Sequence, residues 1–196
     1  LVPLAVSHLK LLFSDLHVAI QPGLSNQLLQ KIERGSLDAA IITKPSKLPP
    51  RIVSMDIANE LMTLLAPNKT TSDDPLFLLR SLPFIRFDRN AMVGQIIQSW
   101  LLEKDINVNE SMELEGLEAI SSMVMANLGV SIVPKRCVTD MNPLPIKYIS
   151  LGPDAPSRQL CLAYREDNLH PNMIEAIEKA LLEAVKIGSF NFLTKT

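Results

Sequence analysis

The chain has 196 residues and a formal net charge of −2 at pH 7, and its Lys and Arg residues are scattered rather than clustered. Because binding to nucleic acid needs grouped cations that neutralise phosphates, these residues alone are not expected to bind it. The hydrophobic content of 47% is typical of a globular domain, but no apolar run reaches the roughly 20 residues that a membrane span needs, so no membrane contact is expected.

The first 67 residues predict alternating helices and strands. Apolar residues at helical spacing predict a helix over 3–14, and "LHVAIQP" (16–22) predicts a short strand that ends at its proline. "LSNQLLQKIERG" predicts a helix that stops at Gly35. The continuous apolar run in 36–45 is typical of a strand covered on both faces, as in a parallel sheet, and 51–67 reads as two further extended runs. This order indicates an α/β fold.

The rest of the chain repeats the same alternation after a polar, turn-rich segment at 68–82, which is a candidate boundary. Gly129 is expected to end a helix with a positive φ, and a long amphipathic helix is predicted from Pro171 to a stop at Gly188. The chain is thus expected to form two α/β halves, each with a short and mostly parallel sheet. The predicted strands are "PFIRF", "SMELEG", "VSIVP", "PIKYISLG" and "RQLCLAYRE", and the predicted helices between the first three are "AMVGQIIQSWLLEKD" and "LEAISSMVMAN".

Motifs for catalysis or for cofactor binding are missing. The seven glycines form neither GxGxxG nor GxxxxGK, and no GxSxG occurs. His8, His17 and His170 lack the spacing of metal ligands. We therefore predict no catalytic residue, no metal ligand, no cofactor and no enzymatic activity.

Two cysteines, Cys137 and Cys161, are the only candidates for thiol chemistry. They form no CxxC motif and cannot build a disulfide framework, which favours a reduced, cytoplasmic location. Two structural thiols are the simpler interpretation, and a redox switch between them is the alternative.

An ordered set of segments resembles a known family. "LVPLAVSHL", "DLHVAIQPG", "RGSLDAAI", "LMTLLAPN", "LPFIRFDRNAMVG" and "ANLGVSIVP" are similar, in this order, to the effector-binding domain of LysR-type transcriptional regulators. The resemblance covers nearly the whole chain. It implies an α/β, type 2 periplasmic-binding-protein-like fold, in which two lobes are joined by two crossover strands with a ligand cleft between them.

The resemblance also implies a domain arrangement and partners. Lobe I would comprise residues 1–66 and 163–196, and lobe II residues 67–162. A first strand and a winged helix-turn-helix domain that binds DNA are expected upstream of the chain. The family assembles as homodimers or homotetramers, so the helix at 3–14 is expected against the second lobe of another subunit.

Strand ends are where such a fold is expected to hold a ligand, because helices begin there. In this family, polar side chains and helix N-termini hold a small, usually anionic effector. Solvated loop charges are the alternative for Lys44 and Arg89. Acidic residues near two helix starts would repel an anion, so an effector with an amine or several hydroxyls is also possible. The expected ligand-binding residues are Thr43, Lys44, Arg89, Asn90, Gly116, Leu117 and Pro134.

The preferred interpretation is a ligand-sensing regulatory domain of a bacterial transcription factor. A solute-binding protein of a transporter would have the same fold and is the first alternative. An enzyme on the same scaffold is the second, and Cys137 is the one cysteine close to a predicted strand end that it would use.

Overall fold

A computed structural model of the chain describes residues 1–139 and 144–189. In these residues the helices are α1 (Val2–Leu12), α2 (Ser25–Glu33), α3 (Pro75–Ser81), α4 (Met92–Glu103), α5 (Leu117–Met125) and α6 (Pro171–Ile187). The strands are β1 (Ala39–Thr43), β2 (Ile52–Pro67), β3 (Pro83–Phe87), β4 (Asn109–Leu114), β5 (Ser131–Pro134), β6 (Ile146–Ser150) and β7 (Ser157–Arg165). None of the helices in the described ranges is both long and apolar enough to cross a membrane.

The chain divides into two compact units. The first unit contains residues 1–59 and the described parts of 136–142 and 159–196, and the second contains 60–135 and the described part of 143–158. Strands β2 and β7 each contribute residues to both units. The lobe boundaries expected at 66/67 and 162/163 fall in these same two strands, and the lobe assignment made from the sequence stays a proposal.

The first unit has a sheet covered by helices on both faces. β1 pairs antiparallel with β7, from Ala39 opposite Tyr164 to Thr43 opposite Leu160. Because side chains alternate along a strand, Leu162 faces the core formed with α1 and α6, while Cys161 and Ala163 face α2. The buried residues of the α1 and α6 side include Leu4, Leu9, Ile57, Leu162, Ile174 and Leu181, and those of the α2 side include Leu28, Ile32, Ala40, Ile42, Ile52 and Cys161.

The second unit has a mixed sheet. β3 and β4 are parallel, from Pro83 opposite Asn109 to Phe87 opposite Leu114, and a parallel bridge joins Phe84 to Val130 immediately before β5. β5 and β6 pair antiparallel with β2 on its two sides, so the strand order is β4, β3, β5, β2, β6. Because β3, β4 and β5 run in the same direction, their carboxyl ends meet at one edge of this sheet.

Two glycines allow backbones to approach closely in the second unit. Gly129 has φ +151, and a Cβ at this position would lie 2.2 Å from the carbonyl oxygen of Pro83. Gly129 has the predicted positive φ and serves packing, but the prediction that it ends the helix is wrong. Helix α5 ends at Met125, and Asn127, with φ +60, is the left-handed residue that follows it. Gly94 lies in α4, where a Cβ would lie 2.0 Å from the carbonyl oxygen of Asp88.

Most predicted elements are present, and besides the helix end at Gly129 four predictions are wrong. Residues 16–22 form no strand, and Ile20 is 61% exposed, because an extended segment without a neighbouring strand gains no ladder hydrogen bonds. Residues 52–67 form one long strand instead of two runs. The described pairing of β1 is antiparallel, not parallel as predicted. The prediction failed because an apolar run shows only that both faces of a strand are covered. Helix α3 was missed, although the carboxylate of Asp74 accepts hydrogen bonds from the amides of Leu76 and Phe77 at its start.

Candidate functional site

The end of β1 carries the first set of expected ligand residues. Thr43 is buried, and its backbone N–H donates to the hydroxyl of Ser25, the first residue of α2, over 3.2 Å. The hydrogen bond ties the strand end to the helix start. The ammonium of Lys44 lies 2.6 Å from the carboxylate of Asp56. We call Ser25, Thr43, Lys44 and Asp56 the Thr43 group.

The Lys44 pair is exposed. The side chains of Lys44 and Asp56 are 38% and 53% accessible. The hydrogen bond that Lys44 donates to Asp56 raises the pKa of Lys44, burial opposes the rise, and the charge of Asp56 adds to it. Because water surrounds both groups, another carboxylate can replace Asp56 on Lys44 at little cost.

The loop after β3 carries the second set. The backbone N–H of Arg89 donates to a carboxylate oxygen of Glu113 over 2.8 Å, and its guanidinium donates to the other oxygen over 2.7 Å. Arg89 also pairs with Glu110, which in turn pairs with Arg86. We call Arg86, Arg89, Glu110 and Glu113 the Arg89 group. Its four charges alternate in sign and sum to zero.

One member of the Arg89 group, Arg86, is a buried cation. Arg86 lies in the middle of β3 and is 3% exposed, donates to Gln98 of α4 over 2.6 Å, and lies 5.7 Å from the centre of the Phe84 ring. The pKa of Glu110 is lowered mainly by the hydrogen bond that it accepts from Arg86. Burial opposes this shift, and the charges of Arg86 and Arg89 add to it. A buried guanidinium needs such a carboxylate, because an unpaired buried charge is strongly unfavourable.

Asn90 shapes the loop that carries Arg89. Both its backbone N–H and its side-chain amide donate to the carboxylate of Asp88, over 2.8 and 3.1 Å. The backbone N–H of Asp88 donates to the carbonyl of Leu114 at the end of β4. The loop after β3 and the end of β4 are therefore neighbours at the same edge of the sheet.

Gly116 and Leu117 lie beyond the end of β4, at the start of α5. Gly116 is the N-cap residue with φ +91 and has no side chain that could cap the helix. The first-turn amides of a nine-residue helix thus begin at the sheet edge that carries Arg89. Pro134 ends β5 at this edge, but it is buried and pairs with Met62 of β2.

The structure thus distributes the seven expected residues over two units. Thr43 and Lys44 belong to the first unit, and the other five gather at the edge where the parallel strands of the second unit end. Several residues of these contacts were not predicted from the sequence, namely Ser25, Asp56, Arg86, Gln98, Glu110 and Glu113. An arginine inside the apolar strand "PFIRF" was the available signal, since a charge at such a position requires a partner. Within the described residues, no group of three or more His, Cys, Asp or Glu could hold a metal ion.

The two cysteines lie on different faces of the first unit's sheet. Cys161 is fully buried on the α2 side, and Cys137 packs against the cluster on the α1 and α6 side. Burial raises the pKa of the Cys161 thiol, and a hydrogen bond with Ser54 partly offsets this. The two thiols therefore belong to different packing clusters, and the pKa of the buried Cys161 lies above its ordinary value.

Comparison with protein families gives one match over nearly the whole chain. A model described as the LysR substrate binding domain matches residues 1–186. The hydrogen peroxide-inducible genes activator of Haemophilus influenzae is 27% identical over 95% of this chain and 63% of its own length. The transcriptional activator IlvY of Salmonella typhimurium is 25% identical over 85% of this chain and 59% of its own length. The chain thus spans about three fifths of these curated relatives.

Solved structures show the same fold. The reduced form of OxyR from N. meningitidis superposes with a TM-score of 0.78 at 18% identity, covering 95% of this chain and 90% of that one. The Synechocystis CcmR regulatory domain in complex with 2-PG gives 0.79 at 14% identity, covering 96% and 92%. The effector-binding domain of QuiR in complex with shikimate gives 0.75 at 18% identity, with the same coverage. The predicted type 2 periplasmic-binding-protein-like fold is confirmed.

Proposed function

Because the chain belongs to the LysR substrate-binding domain family, we propose that it is the ligand-sensing regulatory domain of a bacterial LysR-type transcription factor. The family match over residues 1–186 is the observation that carries this proposal. The domain binds a small anionic effector and thereby shifts the population of oligomer arrangements that control transcription.

The partners follow from the same assignment. A DNA-binding domain elsewhere in the full-length protein contacts DNA, and the regulatory domain assembles as a homodimer or homotetramer in the cytoplasm. The curated relatives are transcriptional regulators by name, which supports a sensor over an enzyme. It equally supports a regulator over a solute-binding protein of a transporter.

The charges at the candidate site support an exchange of carboxylates. Lys44 is paired with Asp56, and Arg89 is paired with Glu110 and Glu113. An anionic effector therefore does not meet a free cation and has to replace one of these acids. Glu113 is the acid that the effector most readily replaces on Arg89, because Glu110 is held by the buried Arg86 as well.

A thermal-shift screen tests the proposal. The purified chain is heated with a panel of small carboxylates, amino acids and sugar acids that includes shikimate and 2-PG, since a ligand that binds only the folded state raises the melting temperature. We expect a hit whose effect is lost in Arg89→Gln, which tests the second unit, or in Thr43→Val, which tests the first. Glu113→Gln should bind the same ligand more tightly, by roughly tenfold, because no carboxylate then competes for that side of Arg89.

The variants also say which part of the proposal fails. If Arg89→Gln and Thr43→Val both bind the hit as wild type does, the effector contacts other residues. If Glu113→Gln weakens binding, the effector is not exchanged for this carboxylate and carries an amine or hydroxyls there instead. If no compound in the panel shifts the melt, the sensing role is wrong for the chain as it stands.

The cysteines do not support peroxide sensing by an internal disulfide. Cys137 and Cys161 lie on opposite faces of one sheet, and a disulfide requires neighbouring Cβ atoms. We expect thiol titration in denaturant to find both thiols intact after mild peroxide treatment of the native chain. A peroxide-dependent disulfide that joins these two residues within one chain would contradict this expectation.

A further inference from the structure

A pocket of about 410 Å³ lies in the second unit, away from the strand ends that carry the candidate site. Its volume is within the range of small-molecule sites. None of the seven expected effector residues contributes to it. The lining residues come from α3, α4 and the segment after β6, and are Asp74, Pro75, Leu76, Arg80, Trp100, Lys104, Ile106, Ser150, Leu151, Gly152, Pro153 and Asp154.

One wall of this pocket is a fixed indole. Trp100 is 6% exposed, and its indole N–H donates to the backbone carbonyl of Asp154 over 2.9 Å. Lys104, one turn further along α4, pairs with the carboxylate of Asp154 over 2.8 Å. These two contacts fasten the segment after β6 to α4. Ile106 and Leu151, both buried, continue the apolar surface.

The acids of the lining are already engaged. The carboxylate of Asp74 accepts from the amides of Leu76 and Phe77 over 2.9 and 3.2 Å. The carboxylate of Asp154 is paired with Lys104. Arg80, in contrast, is exposed and has no ion-pair partner in the part of the chain that the structure describes. The four charged side chains of the lining sum to zero. The pocket thus offers a partly apolar lining and one exposed guanidinium, that of Arg80, without an ion pair among the described residues.

We propose that this pocket is a second ligand site, which binds a small aromatic carboxylate with its ring against Trp100 and its carboxylate on Arg80. Leu76, Leu151 and the small exposed part of Trp100 provide apolar contact for the ring, and the guanidinium fork of arginine matches a carboxylate in two hydrogen bonds. A phosphate or a dicarboxylate fits less well, because the second cation, Lys104, is occupied. A cationic ligand would have to compete with Lys104 for Asp154 or share Asp74 with the amides of α3.

The single tryptophan of the chain makes the site directly observable. Trp100 is the only tryptophan among the 196 residues, so both its fluorescence and its one indole N–H signal in ¹⁵N-labelled protein report on this pocket. Benzoate is the probe, and benzamide is the uncharged control of the same shape. We expect benzoate to change both signals in a saturable way and to bind roughly tenfold more tightly than benzamide, because only benzoate forms a charge-assisted pair.

Variants decide the location and separate this proposal from the proposed effector site. Arg80→Gln should weaken benzoate binding by roughly tenfold, and Leu76→Asp should abolish it by repelling the carboxylate. Arg34→Gln, a matched exposed arginine of the first unit, should bind as wild type. The proposal is overturned if benzoate leaves the Trp100 signals unchanged, if benzamide binds equally well, or if Arg80→Gln and Leu76→Asp both bind as wild type.

Discussion

The Thr43 group of the first unit and the Arg89 group of the second unit place the same chemistry, a cation held by carboxylates, in different surroundings. Lys44 and Asp56 form an isolated pair that is open to water. Arg89 belongs to a chain of four alternating charges that ends on Arg86, which is buried in β3. Another carboxylate can easily replace Asp56 on Lys44, whereas the ion pairs of the Arg89 group contribute to the stability of the second unit.

The backbone around the two groups differs in the same way. The end of β1 is tied to α2 by one hydrogen bond, from the amide of Thr43 to Ser25. The loop that carries Arg89 lies directly against α4, because Gly94 lets the carbonyl of Asp88 approach the helix. Substitutions near the second group should therefore cost more stability than matched substitutions near the first.

Gly94→Ala should have the largest effect. Its Cβ would lie 2.0 Å from the carbonyl oxygen of Asp88, so α4 and the loop have to separate, at a cost of roughly 3 kcal/mol that outweighs the better helix propensity of Ala. Urea denaturation measures the loss. Gly23→Ala, just before α2, is the matched control, since its Cβ meets only side chains, those of Leu28 at 3.2 Å and Gln27 at 3.6 Å. Equal losses of stability in the two variants would mean that substitutions near the Arg89 group are no more costly than those in the first unit.

Glu110→Ala should have the next largest effect. It leaves the buried Arg86 without its carboxylate, and we expect a loss of roughly 2 kcal/mol, below the range for a fully buried pair because the Glu110 side chain is 37% accessible. Urea denaturation at neutral pH measures it. Glu113→Ala should cost less, because its partner Arg89 is exposed. If Glu113→Ala lowers the free energy of unfolding more than Glu110→Ala does, the buried Arg86 is not what makes these ion pairs important for stability.

Acid should reveal the same carboxylate. Arg86 lowers the pKa of Glu110 in the folded chain below the ordinary value of 4.5, so its contribution is complete above that value and disappears as the pH falls through the lower folded-state pKa. Wild type should therefore lose more stability than Glu110→Gln between neutral pH and acid. Equal losses of stability in the two proteins would show that the pKa of Glu110 is not lowered in the folded chain.

Asp56→Asn should have the smallest effect. The Lys44 pair is exposed, and such pairs contribute little to folding. We expect the urea midpoint of Asp56→Asn to match that of wild type, while its affinity for an anionic effector rises because Lys44 is released. A clear loss of stability would mean that the first unit depends on its ion pair as the second does.

The sequence contains enough information for most elements, because glycine, proline and apolar spacing mark their ends. Gly35 and Gly188 follow their helices closely and have positive φ, whereas α5 ends at Met125, before Asn127 and not at the predicted Gly129. The direction of strand pairing could not be predicted in the same way, because an apolar run indicates that a strand is buried but not which strand it pairs with. Helix α3 was missed because its seven residues are too short for a periodic pattern, although Asp74 and Pro75 are a standard start.

The candidate site was predictable to a smaller extent. The rule that ligand residues follow strands names Arg89, Asn90, Gly116 and Leu117, and the structure gathers these residues at one edge of the second unit's sheet. The pairing of Arg89 with Glu110 and Glu113 was not predictable, because it depends on the register between β3 and β4. Partners that lie 21 and 24 residues apart in the chain leave no local pattern.

Strand β2 has a consequence for which insertions and deletions the chain can tolerate. Its 16 residues contribute to both units without interruption, and side chains alternate between the faces of a strand. Removal or addition of one residue near position 59 would invert the faces of one half relative to the other, and a whole set of apolar side chains would then point to solvent. Homologues of different length are therefore expected to differ in loops, and to keep the spacing from Ile52 to Pro67 unchanged.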